Sequence, residues 1–223
     1  MAAQKRIFIS RNVGTNSPFN ALLKDRAIIE AQSLISFEEA PIQQLPVCDW
    51  LFFYSKKGLD FGWPRLQALN PLPKIAVLGK ASAEHWKQKF GKVADFVGTG
   101  APAPTAEAFL AIAKEQRVCF VQAQHSRQSI ALLLGTQVRA ATLVVYTNTP
   151  KAIIDIPPCD ILVFTSPLNA QAYYQKYPIK RQQYIIAIGQ TTAKALEQLG
   201  VSAYSIAAAP HERALANCCL SLL

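Results

Sequence analysis

The feature that most constrains the fold of this chain is a strand, a glycine turn and a helix that occur twice. In YIIAIGQTTAKALEQLG an apolar run ends at Gly189, and a segment with apolar residues at helical spacing follows it. KIAVLGKASAEHWKQKF repeats this plan around Gly79. The two segments lie about 110 residues apart, which is enough chain for one small domain. The repeat therefore predicts two similar α/β modules.

Each glycine turn is suited to an anionic ligand. Gly189 allows the backbone to turn sharply and lie open to a ligand, and the hydroxyl of Thr191 or Thr192 is expected to cap the helix that Gly200 ends. Ser82 supplies a hydroxyl in the other unit. Such a turn presents amide donors and a partial positive charge, although a purely structural role would produce the same pattern.

The repeat extends beyond these turns and is circularly permuted. CDILVFTSPLNAQAY matches CDWLFFYSKKGLDF, and AYSIAAAPHERALANCCLSLL matches ADFVGTGAPAPTAEAFLAIA. The later copy lacks a counterpart of RVCFVQAQHSRQSIALLLG, but KRIFISRNVGTNSPFNALLKD near the N-terminus has the same strand, polar loop and helix. We therefore predict that both ends of the chain complete one domain and that the other domain is inserted within it.

The predicted fold is α/β, with two similar parallel-sheet, flavodoxin-like domains joined by a two-stranded linker. Residues 1–36 and 149–223 form one domain, and residues 41–144 form the inserted one. Segments 36–41 and 144–149 form the linker, which is a natural hinge. Ligands of such sheets bind beyond the carboxyl ends of the strands, so we expect the site in a cleft between the domains.

Several common sites are excluded by the residue patterns. GTGAPAP, from Gly98, lacks the third glycine of a dinucleotide fingerprint, and its prolines predict a loop that is followed by a helix over 105–114. No P-loop motif occurs. The three histidines, His85, His125 and His211, lie in unrelated units without ligand spacing, so we expect surface or capping roles and no metal site.

Charge and cysteine content limit the expected partners. The formal net charge is +9, but lysines and arginines are scattered singly, so a small polyanionic substrate is favoured over nucleic acid.

Five cysteines without a CxxC pair imply neither a disulfide framework nor a zinc site. No signal-peptide pattern follows Met1, and no apolar run approaches the roughly 20 residues that span a bilayer. We expect a cytoplasmic monomer that does not bind membranes.

Cations, hydroxyls and glycines are expected at the ends of the predicted strands, with Tyr146 on a linker segment. N-capping alone would explain some of them, since Ser166 before Pro167 is a common helix start. Converging amides, hydroxyls and cations also suit carboxylates, because each charge-assisted hydrogen bond contributes roughly 1.5 to 3 kcal/mol. The candidate binding residues are Arg11, Ser55, Lys57, Gly79, Ser82, Ser166, Gly189, Thr191 and Thr192.

Several segments of the chain together form a recognisable set of motifs: the ISR start, LISFEEAP, VVYTNTP, DILVFTSPLNA and AIGQTTAKALEQLG with its trailing PHERAL. With these motifs the chain resembles the uroporphyrinogen-III synthase family over nearly its whole length. The resemblance implies two α/β domains on a two-stranded linker. It also implies an activity, in which linear hydroxymethylbilane is closed to uroporphyrinogen III with inversion of the last ring and loss of water. No metal or organic cofactor is implied for this step of haem biosynthesis.

The resemblance implies roles for individual residues as well. Tyr146 corresponds to a tyrosine that assists departure of the hydroxyl group, and Lys57 stands where the family often has arginine. Lys57 keeps a cation but lacks the fork of arginine. The loop over 122–126 lacks the arginine–glycine pair of bacterial members. Polar binding positions are matched by Ser82, Ser166 and Thr192, with Gly189 and Thr191 in the same turn.

Two other functions stay open from the residues themselves. One is a non-catalytic two-domain binder of a small polyanionic ligand, which would bind an anion tightly without turnover. The other is a nucleic-acid binder, which would show salt-dependent retention on heparin.

Overall fold

The computed structural model describes residues 4–223, and these residues form two compact units. Unit 1 contains the chain up to Ser36 together with Thr149–Leu223, and unit 2 contains Phe37–Asn148. Each unit contains one sheet with helices packed against it. The predicted class, α/β with two similar and mostly parallel sheets, is confirmed.

The strands and helices alternate along most of the chain. In chain order the strands are β1 (Arg6–Ile9), β2 (Ile28–Ala31), β3 (Ile35–Glu39), β4 (Trp50–Phe53), β5 (Lys74–Val77), β6 (Phe96–Val97), β7 (Arg117–Ala123), β8 (Arg139–Pro150), β9 (Ile161–Phe164), β10 (Tyr184–Ala187) and β11 (Ser205–Ile206). The helices are α1 (Pro18–Leu23), α2 (Lys56–Leu66), α3 (Lys80–Phe90), α4 (Pro102–Ala113), α5 (Ser129–Leu134), α6 (Pro167–Lys176), α7 (Gln190–Gln198) and α8 (Glu212–Leu220), with a 3-10 turn at Gly135–Gln137.

The sheet of unit 1 has the strand order β11-β10-β9-β1-β2, and its strand pairs are parallel. Its strands are short apolar runs because both faces of the sheet are covered. Phe8 and Leu162 face a cluster that includes Tyr173 and Leu196 from α6 and α7. Neighbouring strand residues face the other way, toward α1 and α8. The N-terminal strand therefore lies inside the sheet formed by the C-terminal part of the chain.

The sheet of unit 2 has the order β3-β8-β7-β4-β5-β6. Strands β4 to β8 pair in parallel, and the register sets Phe53 beside Val77 and Val121. Two apolar clusters cover the two faces, one including Trp63 and Trp86 and the other including Phe109. Neighbouring strands β3 and β8 carry the chain between the residues of unit 1 and those of unit 2.

The structure corrects the loop that the sequence predicted over GTGAPAP, because the last residues of this segment are helical. Helix α4 begins at Pro102 and not at residue 105, because proline has no N–H to lose in the first turn and its φ suits that position. Gly98 is required by a close approach, since a Cβ there would lie 2.4 Å from Thr105 Cγ2 and 2.5 Å from the Leu78 carbonyl oxygen.

Across residues 4–223, the five cysteines are all free thiols. The same residues contain no group of three or more His, Cys, Asp and Glu side chains that would hold a metal ion. None of the helices described is both long and apolar enough to cross a membrane.

At the amino end of the unit 2 sheet, Asp49 and Arg117 form a pH-dependent contact. The Asp49 carboxylate accepts hydrogen bonds from the Arg117 backbone N–H at 2.8 Å and from its Nη2 at 2.6 Å. These bonds to Arg117 lower the pKa of Asp49 to about 2. Because the folded-state pKa lies below the unfolded-state value of about 3.9, the contact stabilises above pH ~4, and the stabilisation is lost as the pH falls toward 2.

We therefore predict that Asp49→Asn lowers the free energy of unfolding at pH 7 by no more than about 1 kcal/mol, the range for an exposed ion pair. The difference from the parent chain should disappear as the pH falls toward 2. Urea unfolding followed by tryptophan fluorescence reports on unit 2, since Trp50, Trp63 and Trp86 all lie there. Glu107→Gln, at an exposed position of α4 in unit 2, is the control. A pH-independent loss would contradict the assignment.

Candidate functional site

The candidate residues of unit 2 follow two neighbouring strands. Strand β4 leads to Ser55, the N-cap of α2, whose Oγ accepts a hydrogen bond from the Gly58 N–H at 3.0 Å. Strand β5 leads to Gly79, the N-cap of α3. Because Phe53 and Val77 are partners in the parallel register, both helix starts lie at the carboxyl edge of one sheet.

Unit 1 repeats this arrangement. Strand β9 leads to Ser166, the N-cap of α6, and strand β10 leads to Gly189, the N-cap of α7. The Ser166 Oγ accepts hydrogen bonds from the Asn169 N–H at 3.3 Å and from the Asn169 Nδ2 at 2.9 Å. The prediction that Ser166 caps a helix is confirmed. Since both bonds use its lone pairs, its own O–H hydrogen is available for an anionic acceptor.

The two glycine-capped helices share one geometry. The N–H groups of Ser82 and Thr192 donate to the carbonyls of Gly79 and Gly189, each at 3.0 Å. Neither helix has a side-chain cap, so the prediction that Thr191 or Thr192 caps α7 is wrong. The threonines lie within the first helical turn, whereas a capping residue must be extended and precede it. The first two amides of each helix have no intrahelical acceptor and remain available to an anion.

The two glycines differ in what surrounds them. Both have extended backbone that any residue adopts, with φ of −172° at Gly79 and −179° at Gly189, so neither position depends on the conformational freedom of glycine. A Cβ at Gly79 would lie 2.9 Å from the Gly100 Cα, whereas a Cβ at Gly189 would meet no heavy atom within 4 Å. Gly79 therefore serves packing, and Gly189 borders open space. Gly200 has φ +85° and follows the end of α7, as predicted.

Arg11 lies just after β1, beside the strand end that leads to Ser166. Its Nη1 lies 3.5 Å from Glu212 Oε1, an ion pair that the sequence prediction missed because the partner is distant in the chain. Nearby, the Ser10 Oγ accepts a hydrogen bond from the Thr165 N–H at 2.8 Å, and the Ser10 side chain is buried. Arg11 is half-buried and its charge is partly balanced by Glu212.

Tyr146 is held between two parts of unit 2. It lies on β8 opposite Ala123 and is 7% exposed. Its hydroxyl lies 3.4 Å from the Ser55 Oγ, and its ring stacks on Phe61 with a centroid separation of 5.3 Å and an interplanar angle of 21°. The Phe37 ring lies 6.0 Å away. The phenol therefore lies beside the start of α2, where the helix dipole is positive.

Lys57 belongs to the same cluster. Its Nζ lies 5.0 Å from the centroid of the Phe37 ring and 6.0 Å from that of Phe61, and the side chain is exposed. Unit 2 thus brings together three predicted residues, Ser55, Lys57 and Tyr146. Sequence reasoning missed Phe61 and Phe37, although the four-residue spacing of Lys57 and Phe61 on a helix was a readable signal.

The histidines have structural roles where the contacts are described. His211 Nδ1 accepts a hydrogen bond from the Ala214 N–H at 3.2 Å and caps α8, which confirms the capping prediction for that residue. His85 Nε2 lies 2.7 Å from Asp60 Oδ1.

Comparison with known proteins identifies the family that this chain matches. The model of the family described as uroporphyrinogen-III synthase HemD matches residues 27–217. A protein of Methanocaldococcus jannaschii, described as a candidate uroporphyrinogen-III synthase, is 29% identical over 177 residues, which is 68% of this chain and 70% of that protein.

Two crystal structures share the fold. Uroporphyrinogen-III synthetase from Helicobacter pylori superposes with a TM-score of 0.76 at 21% identity, over 98% of this chain and 100% of the other. A mutant uroporphyrinogen III synthase from Thermus thermophilus gives a TM-score of 0.59 at 16% identity, over 98% of each chain. The resemblance seen in the sequence motifs is confirmed: the chain belongs to the uroporphyrinogen-III synthase family, lyases that carry out the cyclising synthase step of haem biosynthesis.

Proposed function

We propose that this chain converts hydroxymethylbilane to uroporphyrinogen III with Tyr146 as the proton donor. The observation that carries this proposal is the contact between the hydroxyl of Tyr146 and the Ser55 Oγ, 3.4 Å apart at the start of α2. A phenol at that position can give a proton to a departing hydroxyl group. The positive end of the helix dipole then stabilises the phenolate that remains.

The chemistry requires little more than proton transfer and positioning. The C–O bond of the hydroxymethyl group breaks, the hydroxyl leaves as water with the phenol proton, and an electron-poor azafulvene remains. General acid catalysis of such a step typically contributes about 10² to 10⁴ in rate. The substituted carbon of the last ring then attacks to form a spiro intermediate, and a fixed geometry favours this route over direct closure. The bond from that carbon to its original bridging methylene breaks, and the unsubstituted carbon of the turned ring then bonds to the freed methylene and loses its proton. A proton released later in the sequence restores the phenol.

The carboxylates of the substrate would bind at the helix starts of both units. The first amides of α3 and α7 have no intrahelical acceptor, and both helices present a positive dipole. Ser82 and Thr192 lie in the first turns of these helices but are buried, at 8% and 2% exposure, so the amides there are the main donors, and Ser166 adds a free O–H hydrogen. Lys57 and Arg11 supply cations. Each charge-assisted bond contributes roughly 1.5 to 3 kcal/mol, so this set holds a polycarboxylate without a metal or an organic cofactor.

We also propose that the chain works as a cytoplasmic monomer and does not bind nucleic acid. Five free thiols suit a reducing compartment. Several cations pair with carboxylates within the units, including Arg6 with Glu30 and Lys89 with Asp60. Gel filtration at several concentrations and a nucleic-acid shift assay test these two points.

The direct test of the activity is the isomer of the product. Incubation with enzymatically made hydroxymethylbilane, followed by oxidation and separation of the porphyrin isomers, should give the type III isomer. A product containing only type I, with tight binding of a polycarboxylate, would favour the non-catalytic binder and reject the proposal.

Tyr146→Phe should lower the single-turnover rate by about 10² to 10⁴, because the proton donor is lost while the ring still stacks on Phe61. Thermal unfolding followed by tryptophan fluorescence should be close to that of the parent chain. Tyr184→Phe is the matched control, since Tyr184 is 51% exposed at the amino end of a unit 1 strand. An unchanged rate in Tyr146→Phe would remove this residue from the mechanism.

Gly189→Ala and Gly79→Ala should behave differently. The Cβ at position 189 has open space, so we expect unchanged stability and a KM raised about tenfold, equal to ~1.4 kcal/mol of lost carboxylate binding. The Cβ at position 79 meets the Gly100 Cα, so we expect unit 2 to lose about 1 to 3 kcal/mol of stability. An unchanged KM in Gly189→Ala would mean that this turn does not contact the substrate.

A further inference from the structure

Lys57, Phe61 and Arg65 form one ridge on helix α2. Residues four apart lie on the same face of a helix, and this ridge runs along the side that contacts Tyr146. Lys57 lies near the Phe37 ring, and Phe61 stacks on the Tyr146 ring. Arg65 is the third member, and the proposed chemistry gives it no role. It is half-buried.

The guanidinium of Arg65 binds three main-chain carbonyls. Its Nε donates to the Phe61 carbonyl at 3.1 Å, its Nη1 donates to the Ala40 carbonyl at 2.6 Å, and its Nη2 donates to the Val145 carbonyl at 2.6 Å. It takes part in none of the ion pairs found within residues 4–223. The planar fork of arginine reaches two carbonyls at once, which the single ammonium of lysine cannot do with the same geometry.

One carbonyl that Arg65 binds belongs to the residue just before Tyr146. The Val145 carbonyl also accepts a hydrogen bond from the Ala40 N–H at 3.1 Å. The guanidinium therefore binds the carbonyls of two residues, Ala40 and Val145, that are also hydrogen-bonded to each other. The orientation of that peptide group sets the direction in which the Tyr146 side chain leaves the strand. Arg65 therefore fixes the base of the side chain, Phe61 fixes its ring, and Ser55 meets its hydroxyl.

We propose that Arg65 is a positioning residue for the reaction, because it holds the Tyr146 phenol at the point where the proton is transferred. The inference rests on the proposed role of Tyr146 as proton donor. Arg65 touches no reacting atom and acts only through Tyr146. A small displacement is sufficient to matter, since a misplacement of about 1 Å can lower a rate about 10²-fold.

A double-mutant cycle tests this proposal. Arg65→Met should lower kcat about 10- to 100-fold with KM changed less than about twofold, because the phenol is displaced while the carboxylate contacts remain. In the Tyr146→Phe background, Arg65→Met should change kcat less than about twofold, since no proton donor is left to misplace. Arg65→Lys should give an intermediate kcat because it keeps the charge and loses the fork.

Arg117→Met is the matched control. Arg117 is also an arginine of unit 2 whose guanidinium is bound, but it contacts Asp49 at the amino end of the sheet. We expect lower stability and an unchanged kcat for this variant. Tryptophan fluorescence reports on the folding of unit 2 in every variant. If Arg65→Met does not fold, Arg65→Lys is carried through the same cycle.

The outcomes separate the two proposals. If Tyr146→Phe is slow and Arg65→Met lowers kcat equally in both backgrounds, Arg65 acts independently of Tyr146, which overturns the inference and leaves the role of Tyr146 intact. A change in KM alone would overturn the inference as well. If Tyr146→Phe keeps the full kcat, the proposed proton donor is wrong and the positioning role of Arg65 fails with it.

Discussion

The proposed function depends on backbone amides that the fold leaves without an acceptor at the starts of α3 and α7. A helix cannot satisfy its first N–H groups internally, and here glycine takes the N-cap position where a capping side chain would otherwise compete. The buried parallel sheets hold these helix starts rigidly at their carboxyl edges, because both sheet faces are covered by apolar clusters. The same arrangement in each unit yields a pair of turns whose first amides have no intrahelical acceptor, and we propose that these amides bind carboxylates.

The serine-capped helix starts, at α2 in unit 2 and α6 in unit 1, differ in their hydrogen-bond partners. Ser55 and Ser166 both cap their helices, but Ser166 is bonded to Asn169, which in turn accepts a hydrogen bond from the buried Leu34 N–H. Ser55 instead meets the hydroxyl of Tyr146. At corresponding positions, unit 1 therefore has a hydrogen-bond network of Ser166 and Asn169, and unit 2 has a contact between a serine and the phenol of Tyr146. This difference is why we assign the proposed proton transfer to unit 2 and carboxylate binding to both units.

The fold could be predicted from the sequence because buried parallel strands are apolar runs and because turns such as Ser166-Pro167 mark helix starts. The family followed from motifs that span both ends of the chain. Other features depend on contacts that a one-dimensional pattern does not contain. The capping role expected of Thr191 failed because the helix begins one residue earlier, at Gln190. The partner of Arg11 lies near the other end of the chain, and the partners of Arg65 are carbonyls, which every residue type carries.

The most direct test is amide NMR of the uniformly labelled chain titrated with uroporphyrinogen III under anaerobic, reducing conditions. If carboxylates bind at the glycine-capped helix starts, the largest shifts will be those of the amides of Lys80, Ala81, Gln190 and Thr191. Shifts that leave these four amides unchanged and gather at the opposite edges of the sheets, around Asp49 and Asp160, would contradict the proposed function.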